Sequence, residues 1–266
     1  TNISESYYNN DLEYDSNLII LKNGFVNNFN LMFKNVSKKG KNSNNYNDNF
    51  ENDNFFSSIF TSSLPLKKNY NNFNSNLTPK ASLRLSPNES ENLSKLDRQI
   101  NSTNLFSKNR LGLSDSLEGS QSLTVGVDYS VFKKDNYKIF SSNLGQVFRS
   151  KKDDKLPLSS TMQEKRSDII GRLELLPSEN FKINYNFSAD NNFDTLNYNF
   201  VEGKFQVNNF ITSFEFLEEN NLIGSDSYFS NKIDYKFNDS SSIKYSTRRN
   251  RRTDLTEYYK LMYEYK

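Results

Sequence analysis

A chain of 266 residues is long enough for one large β domain or two small ones. Only 34% of it is hydrophobic and its mean hydropathy is −0.82, which leans towards disorder, yet 22 Phe and 16 Tyr are too many aromatics for a solvated chain. A net charge of +2 supplies no concentrated basic face for nucleic acid, and the absence of Cys and His excludes disulfides, thiolate chemistry, Ser-His-Asp triads, Cys-His pairs and His-ligated zinc.

Taken in order, residues 1–13 are polar and carry no pattern. A hairpin is predicted for 14–22 and 25–36, closed by the Asn23–Gly24 step, a strong short turn signal. The low-complexity Lys, Asn, Ser and Gly of 37–51 read as a loop. Strands follow at 52–64, ended by Pro65, and at 74–85. There Pro79 lacks a ladder donor and belongs near a strand end or an edge. Residues 86–119 hold a possible strand at 104–113, but short and long connections alternate in a barrel. An added strand breaks that alternation, so 86–119 is expected to be one long outer loop.

Period-two patterning is clear thereafter. Leu123, Val125, Val127, Tyr129 and Val131 share a face in the strand 120–133, and 137–150 returns through Phe140, Leu144 and Phe148. Strands 165–176 and 181–190 meet at a turn over 177–180. Phe181, Ile183, Tyr185, Phe187 and Ala189 alternate with Lys182, Asn184, Asn186, Ser188 and Asp190. Next come 194–201 (Leu196, Tyr198 and Phe200 outward), a tight turn at 202–204, and 205–218 (Phe210, Thr212, Phe214 and Phe216 outward). The last are 227–237 (Ile233, Tyr235 and Phe237 outward), a turn at 238–240, 241–249 (Ile243 and Tyr245), and 255–266, which aligns Tyr259, Leu261, Tyr263 and Tyr265.

About ten residues of alternation, repeated hairpin after hairpin, is the pattern of an all-β, antiparallel transmembrane β-barrel. A polar lumen and a thin apolar band also reconcile low hydropathy with abundant aromatics. The count is about thirteen strands, odd where bacterial barrels are even. The whole of 1–266 is therefore expected to be part of one larger outer-membrane barrel domain, cut at both ends from a longer chain. Lumen-facing candidates are Arg172, Glu174, Lys182, Asn184, Asn186, Asp190, Lys232, Asp234 and Lys236. Tyr185, Phe187, Phe214, Tyr235, Tyr263 and Tyr265 are expected towards lipid. The cluster Arg248, Arg249, Arg251 and Arg252 reads as a solvated loop tip or, at a membrane surface, as a contact for lipid phosphates.

Several stretches carry more than patterning. Asn109-Arg110-Leu111-Gly112 precedes Leu117-Glu118-Gly119. Then Thr124 to Tyr129 leads to Leu144-Gly145-Gln146-Val147-Phe148-Arg149, to Leu158-Ser159-Ser160, and to Ser167-Asp168-Ile169-Ile170-Gly171. Leu77-Thr78-Pro79-Lys80 and Arg84-Leu85-Ser86-Pro87 come before them. In order and spacing this resembles the C-terminal barrel domain of LptD, the lipopolysaccharide-assembly family of the Gram-negative outer membrane, over roughly 50–266. The family's N-terminal periplasmic domain and its inter-domain cysteines have no counterpart in these residues.

The resemblance implies a very large barrel with an LptE-type lipoprotein in its lumen. It also implies delivery of lipopolysaccharide by a periplasmic bridge, and lateral release into the outer leaflet through a seam that lies outside this segment. Transport of this kind needs no bond chemistry and no cofactor. A generic porin or receptor-type barrel is the alternative that periodicity leaves open. A barrel hydrolase lacks the histidine its usual sites require, and an Asn-rich disordered surface protein would lack strong β structure.

Overall fold

The computed structural model describes residues 2–159, 161–221 and 223–265; Thr1, Ser160, Leu222 and Lys266, and with them one residue of the Leu158-Ser159-Ser160 motif and the end of the predicted last strand, lie outside the described residues. It is almost wholly antiparallel β structure. The strands are β1 (Ser4–Asp15), β2 (Ile19–Ile20), β3 (Val26–Lys41), β4 (Glu51–Ser63), β5 (Leu66–Asn69), β6 (Phe73–Ser86), β7 (Ser120–Lys133) and β8 (Lys138–Arg149). They continue as β9 (Ile169–Ser178), β10 (Phe181–Ala189), β11 (Leu196–Val207), β12 (Phe210–Glu219), β13 (Ser227–Lys236), β14 (Ser241–Asn250) and β15 (Leu255–Tyr265). Neighbours in the sheet follow chain order, β1-β3-β4-β6-β7-β8-β9-β10-β11-β12-β13-β14-β15, with β2 paired to β3 and β5 to β6. Thirteen strands thus lie on the path, the number expected from patterning. Among the described residues no helix is long and apolar enough to cross a membrane.

Three boundaries differ from the sequence reading, each for a physical reason. The patternless N-terminus is strand β1, whose Ser4–Asp15 pairs residue by residue with Lys41–Asn30 of β3. Its sequence, SESYYNNDLEYD, is mostly polar and carries no alternation to mark it. The same pairing carries β3 through the low-complexity residues to Lys41. The Asn23–Gly24 turn is present, with Gly24 at φ 88°, but it joins the short β2 to β3. Pro79 lies inside β6 at the point where its partner changes. β4 pairs with Lys80–Leu85 and β5 with Asn74–Leu77, so the gap between them falls on the proline.

The third difference is the turn expected at 202–204. β11 runs straight through it, and the chain turns at Asn208 and Asn209, with Asn208 at φ 49° and Val207 paired to Phe210. Asn tolerates that left-handed conformation and suits a two-residue hairpin. Gly203, the apparent turn residue, sits in mid-strand opposite Phe214, and a Cβ at Gly203 would stand 2.2 Å from that ring. Gly171 is covered by Phe187 in the same way, at 2.3 Å. An aromatic ring laid over a strand glycine repays the missing side chain. We expect Gly203→Val to displace the Phe214 ring and to cost about 1–3 kcal/mol. The check is the temperature at which the full-length protein loses its heat-resistant electrophoretic form. Gly203→Val paired with Phe214→Ala should recover part of the loss.

The chain divides into two compact units. One comprises the chain up to Pro65, Pro79–Val125 and Gln146–Ser167; the other Leu66–Thr78, Gly126–Gly145 and the chain from Asp168 onward. Between β3 and β14, short connections (70–72, 134–137, 179–180, 208–209 and 237–240) alternate with longer ones, of which 87–119 and 150–168 are the longest; the last connection, 251–254, is short again. No strand falls in 87–119.

Candidate functional site

In the first unit the usual distribution of polarity is inverted. On β6, Ser82, Arg84 and Ser86 are buried while Leu83 and Leu85 are exposed; Arg84 is 4% accessible and each leucine 41%. On β7, Ser122 and Thr124 are buried while Leu123 and Val125 are exposed. On β3, Asn30 and Lys34 are buried and Phe33 is exposed. A soluble sheet buries its apolar side chains and solvates the others. Here the polar face carries the covering, and the apolar face is left for a non-aqueous solvent.

The covering is supplied by the two long connections. Leu117 packs on Val36 of β3 and Phe55 of β4. Leu93 donates its amide to the Lys155 carbonyl at 2.7 Å, Lys155 pairs with Glu89 at 2.7 Å, and Leu156, Pro157 and Met162 are fully enclosed. Lys34 reaches up from β3 to the Ser114 carbonyl at 2.7 Å while holding Asp11 at 2.6 Å.

Beneath the connection is a buried ionic clamp. Arg110 donates two hydrogen bonds to Glu118, Nε to Oε2 at 2.9 Å and Nη2 to Oε1 at 2.6 Å. It also donates to Thr124 Oγ1 at 2.9 Å and Ser122 Oγ at 2.8 Å on β7. Arg149, at the end of β8, donates to Glu118 Oε1 and to the Gly119 carbonyl at 3.0 Å, and lies 3.6 Å from Asp153. Ser90 ties both connections together, donating to Asp153 at 2.7 Å and accepting from the Gly119 amide at 3.1 Å. Arg84 donates to the Ser107 carbonyl at 2.9 Å. Burial pushes the Glu118 carboxyl up, but Arg110, Arg84 and Arg149 outweigh it and hold the group at about 2. Asp168 closes the next turn, accepting from Ser188 at 2.8 Å and Asn197 at 2.7 Å; burial pushes its carboxyl up against those two bonds.

Arg84, Arg110, Glu118, Thr124, Arg149 and Asp168 belong to motifs noted in the sequence, while Ser90, Ser122, Asp153, Ser188 and Asn197 do not, and none of them stood among the lumen-facing candidates. The motifs are Arg84-Leu85-Ser86-Pro87, Asn109-Arg110, Leu117-Glu118-Gly119, Thr124, Arg149 and Ser167-Asp168. The available signal was the spacing of three arginines around one lone glutamate, which has meaning only once the strands are paired.

In the second unit the register fixes the faces. Arg172, Asn186, Phe200, Leu217, Tyr228 and Asn250 are successive cross-strand partners from β9 to β14. Glu174, Asn184, Glu202, Glu215, Ser230 and Arg248 form the next row, and Lys182, Lys204, Ser213, Lys232, Ser246 and Lys260 the row after it. Partners point to one side of a sheet. The candidates Arg172, Glu174, Lys182, Asn184, Asn186 and Lys232 therefore share a face, joined along β13 by Asp234 and Lys236. Glu174 gathers several of them, accepting from Lys138 at 2.6 Å and lying 3.1 Å from Lys182 and 3.7 Å from Arg172. Asp190 is not brought to this surface by a strand. It lies in the β10–β11 turn, where its carboxylate accepts from the Asp194 amide at 2.8 Å.

The other face carries Phe187, Tyr185, Phe216, Phe214, Phe205, Tyr235, Tyr245 and Tyr263 in register. Tyr198 and Phe200 were expected here and are not, whereas Leu196 is, because a register shift after Ser188 pairs it with Ala189. With β11 continuous to Val207, Tyr198 pairs with Ser188 and Phe200 with Asn186, which sets both on the polar face. In the arginine cluster, Arg248 lies over Tyr228 at 3.8 Å and Arg251 over Phe216 at 4.9 Å. Arg249 pairs with Asp254 at 2.6 Å, and Arg252 donates to the Glu219 carbonyl at 2.6 Å.

Long antiparallel hairpins with an exposed aromatic face and a charged, covered face define a membrane β-barrel of the outer-membrane type. A family model described as LPS transport system D (LptD) matches residues 31–240. The chain belongs to the LptD family, outer-membrane proteins of lipopolysaccharide transport. No curated protein matches it.

Proposed function

We propose that this chain is a working segment of the lipopolysaccharide translocon in the Gram-negative outer membrane. In this reading it inserts lipopolysaccharide into the outer leaflet by passage of the sugars along a polar lumen and lateral release, with no bond made or broken. The face bearing Arg172, Glu174, Lys182, Asn186 and Lys232 lines the aqueous path, and the face bearing Tyr185, Phe187 and Phe214 meets hydrocarbon. The observation that carries this is the inversion of burial, with Arg84 enclosed between exposed leucines. An LptE-type lipoprotein occupies the lumen and a periplasmic bridge supplies the substrate. Membership of the family supports both readings; no contact among the described residues does. The connection 87–119, lying on the polar face of its unit, is the outer loop that covers the lumen.

The test is site-specific photo-crosslinking in cells making the full-length protein. A photoreactive residue at Asn186 should capture lipopolysaccharide in transit, and one at Phe187 should capture membrane lipid. Transport is overturned if Asn186 captures none while the barrel is assembled; a porin would behave so.

A further inference from the structure

The lysine row of the second unit ends in a concavity. Between β12 and β15 lies a cavity of about 310 Å³ lined on the polar face by Ser213, Lys232, Asp234, Lys244, Ser246 and Lys260. Ile211 and Met262, partners of Asp234 and Lys244 across the strands, supply an apolar floor. Three ammonium groups and the Asp234 carboxylate line the wall, and Lys244 lies 3.9 Å from Asp234. Lys232 is held by Glu215 at 2.9 Å and Lys244 by Glu264 at 2.5 Å. Lys260 has no acidic partner among the described residues, and neither does Lys204, which stands directly opposite Lys182. Like charges directly opposite on a sheet are unfavourable; Lys182 is offset by Glu174 at 3.1 Å, and Lys204 is left with its charge unpaired among the described residues. Asp234 adds an independent feature. Its Oδ1 is enclosed and has no hydrogen-bond partner among the described residues, an acceptor awaiting a donor.

We propose that this cavity binds a phosphorylated sugar of the lipopolysaccharide saccharide, with Lys260, Lys232 and Lys244 on the phosphate and Asp234 on a sugar hydroxyl. The inference rests on the transport reading above and names a station within it. The volume is at the lower end for small-molecule sites, which suits one sugar ring and not an acyl-chain bundle. Ser213 and Ser246 donate to the same oxygens, and the apolar floor receives the C–H face of the ring. The remaining lysines of the row, Lys204 and Lys182, lead to the cavity at one level of the sheet.

The experiment uses the full-length protein with its lipoprotein partner, carrying a photo-crosslinker at Ser246 and, separately, at Asn186. The probes are lipopolysaccharide with a phosphorylated core and the same glycolipid after enzymatic dephosphorylation. Capture at Ser246 should fall about tenfold on dephosphorylation and about tenfold in Lys260→Glu, and should survive in Lys260→Arg. Capture at Asn186 should persist in each case. Lys260 is exposed at an edge strand, and retention of the heat-resistant form confirms that the variants assemble. Equal capture of both glycolipids at Ser246, or full capture in Lys260→Glu, overturns the station and leaves transport standing. Loss of capture at Asn186 with every probe overturns transport itself. Displacement of the glycolipid by millimolar inorganic phosphate alone overturns the sugar component, because the cavity would then be a plain anion site.

Discussion

Glu118→Gln is expected to release the covering connection from the polar face. Glu118 is the hub that Arg110 and Arg149 share, and Arg84 adds to the positive field around it. Replacing it with a neutral amide leaves buried guanidinium groups facing one another with only Asp153 near Arg149. Removing one partner of a buried pair costs about 3–5 kcal/mol. The sheet itself is held by its ladder, so the loss should appear locally, as protease cleavage between 87 and 119 in the assembled barrel. Arg110→Lys should show a smaller version of the effect, since a lysine cannot span Glu118, Ser122 and Thr124 together.

The same clamp sets an acid limit. The folded-state pKa of Glu118 is lowered from 4.5 to about 2, so its contribution is fully present above about pH 4.5 and is lost as pH falls through about 2. Protection of 87–119 from an acid-active protease should therefore be unchanged between pH 7 and pH 5. It should begin to fail only below about pH 4. A connection that opens between pH 7 and pH 5 would show that Glu118 does not hold it.

Phe214→Arg and Ser213→Arg are expected to differ sharply although the residues are neighbours. Phe214 lies mid-strand on the aromatic face, over Gly203. Ser213 lies on the polar face, between Lys204 and Lys232. In a bilayer an arginine on the lipid side of a barrel costs about 2–4 kcal/mol near the midplane, and a lumen substitution costs little. The yield of heat-resistant, membrane-inserted full-length protein measures both. Phe214→Arg should depress it strongly, and Ser213→Arg, which meets only the like charges of Lys204 and Lys232 in the lumen, should depress it far less. A sheet with its aromatic face in water would tolerate both arginines alike. Equal yields for the two variants would remove the membrane assignment.

How far the sequence carried can be judged at particular residues. Lys182 and Ile183 were assigned to opposite faces by alternation alone, and the ladder agrees, with Lys182 against Lys204 and Ile183 against Gly203. Tyr198 and Phe200 were assigned to the wrong face. Gly203 looked like a turn, and a turn would have allowed the phase of β11 to be chosen afresh. The continuous strand left no such freedom, and its phase followed from Phe205 opposite Phe181. β1 was missed because its polar, Asn- and Tyr-rich residues carry no period-two alternation, and only the pairing with β3 reveals it.

The buried clamp was out of reach for a different reason. Arg84, Arg110, Glu118 and Arg149 span 65 positions of the chain (149 − 84), and each alone looks like a polar residue of a loop or strand end. Only the docking of 87–119 on the polar face brings the three guanidinium groups to one carboxylate.

By itself the amino-acid order determined that strands would form, roughly where, and which side chains of a strand travel together, because a pleated backbone sends alternate residues to opposite sides whatever lies beside it. It also carried the motifs that mark the family. Tertiary structure decided which side is which, because a one-residue change of phase exchanges the two faces of a strand and only pairing to a neighbour settles it. It decided, too, that the long polar connection would cover the polar face of its unit, since burial of Arg84 on β6 and Arg149 on β8 is tolerable only where the connection brings Glu118 to them.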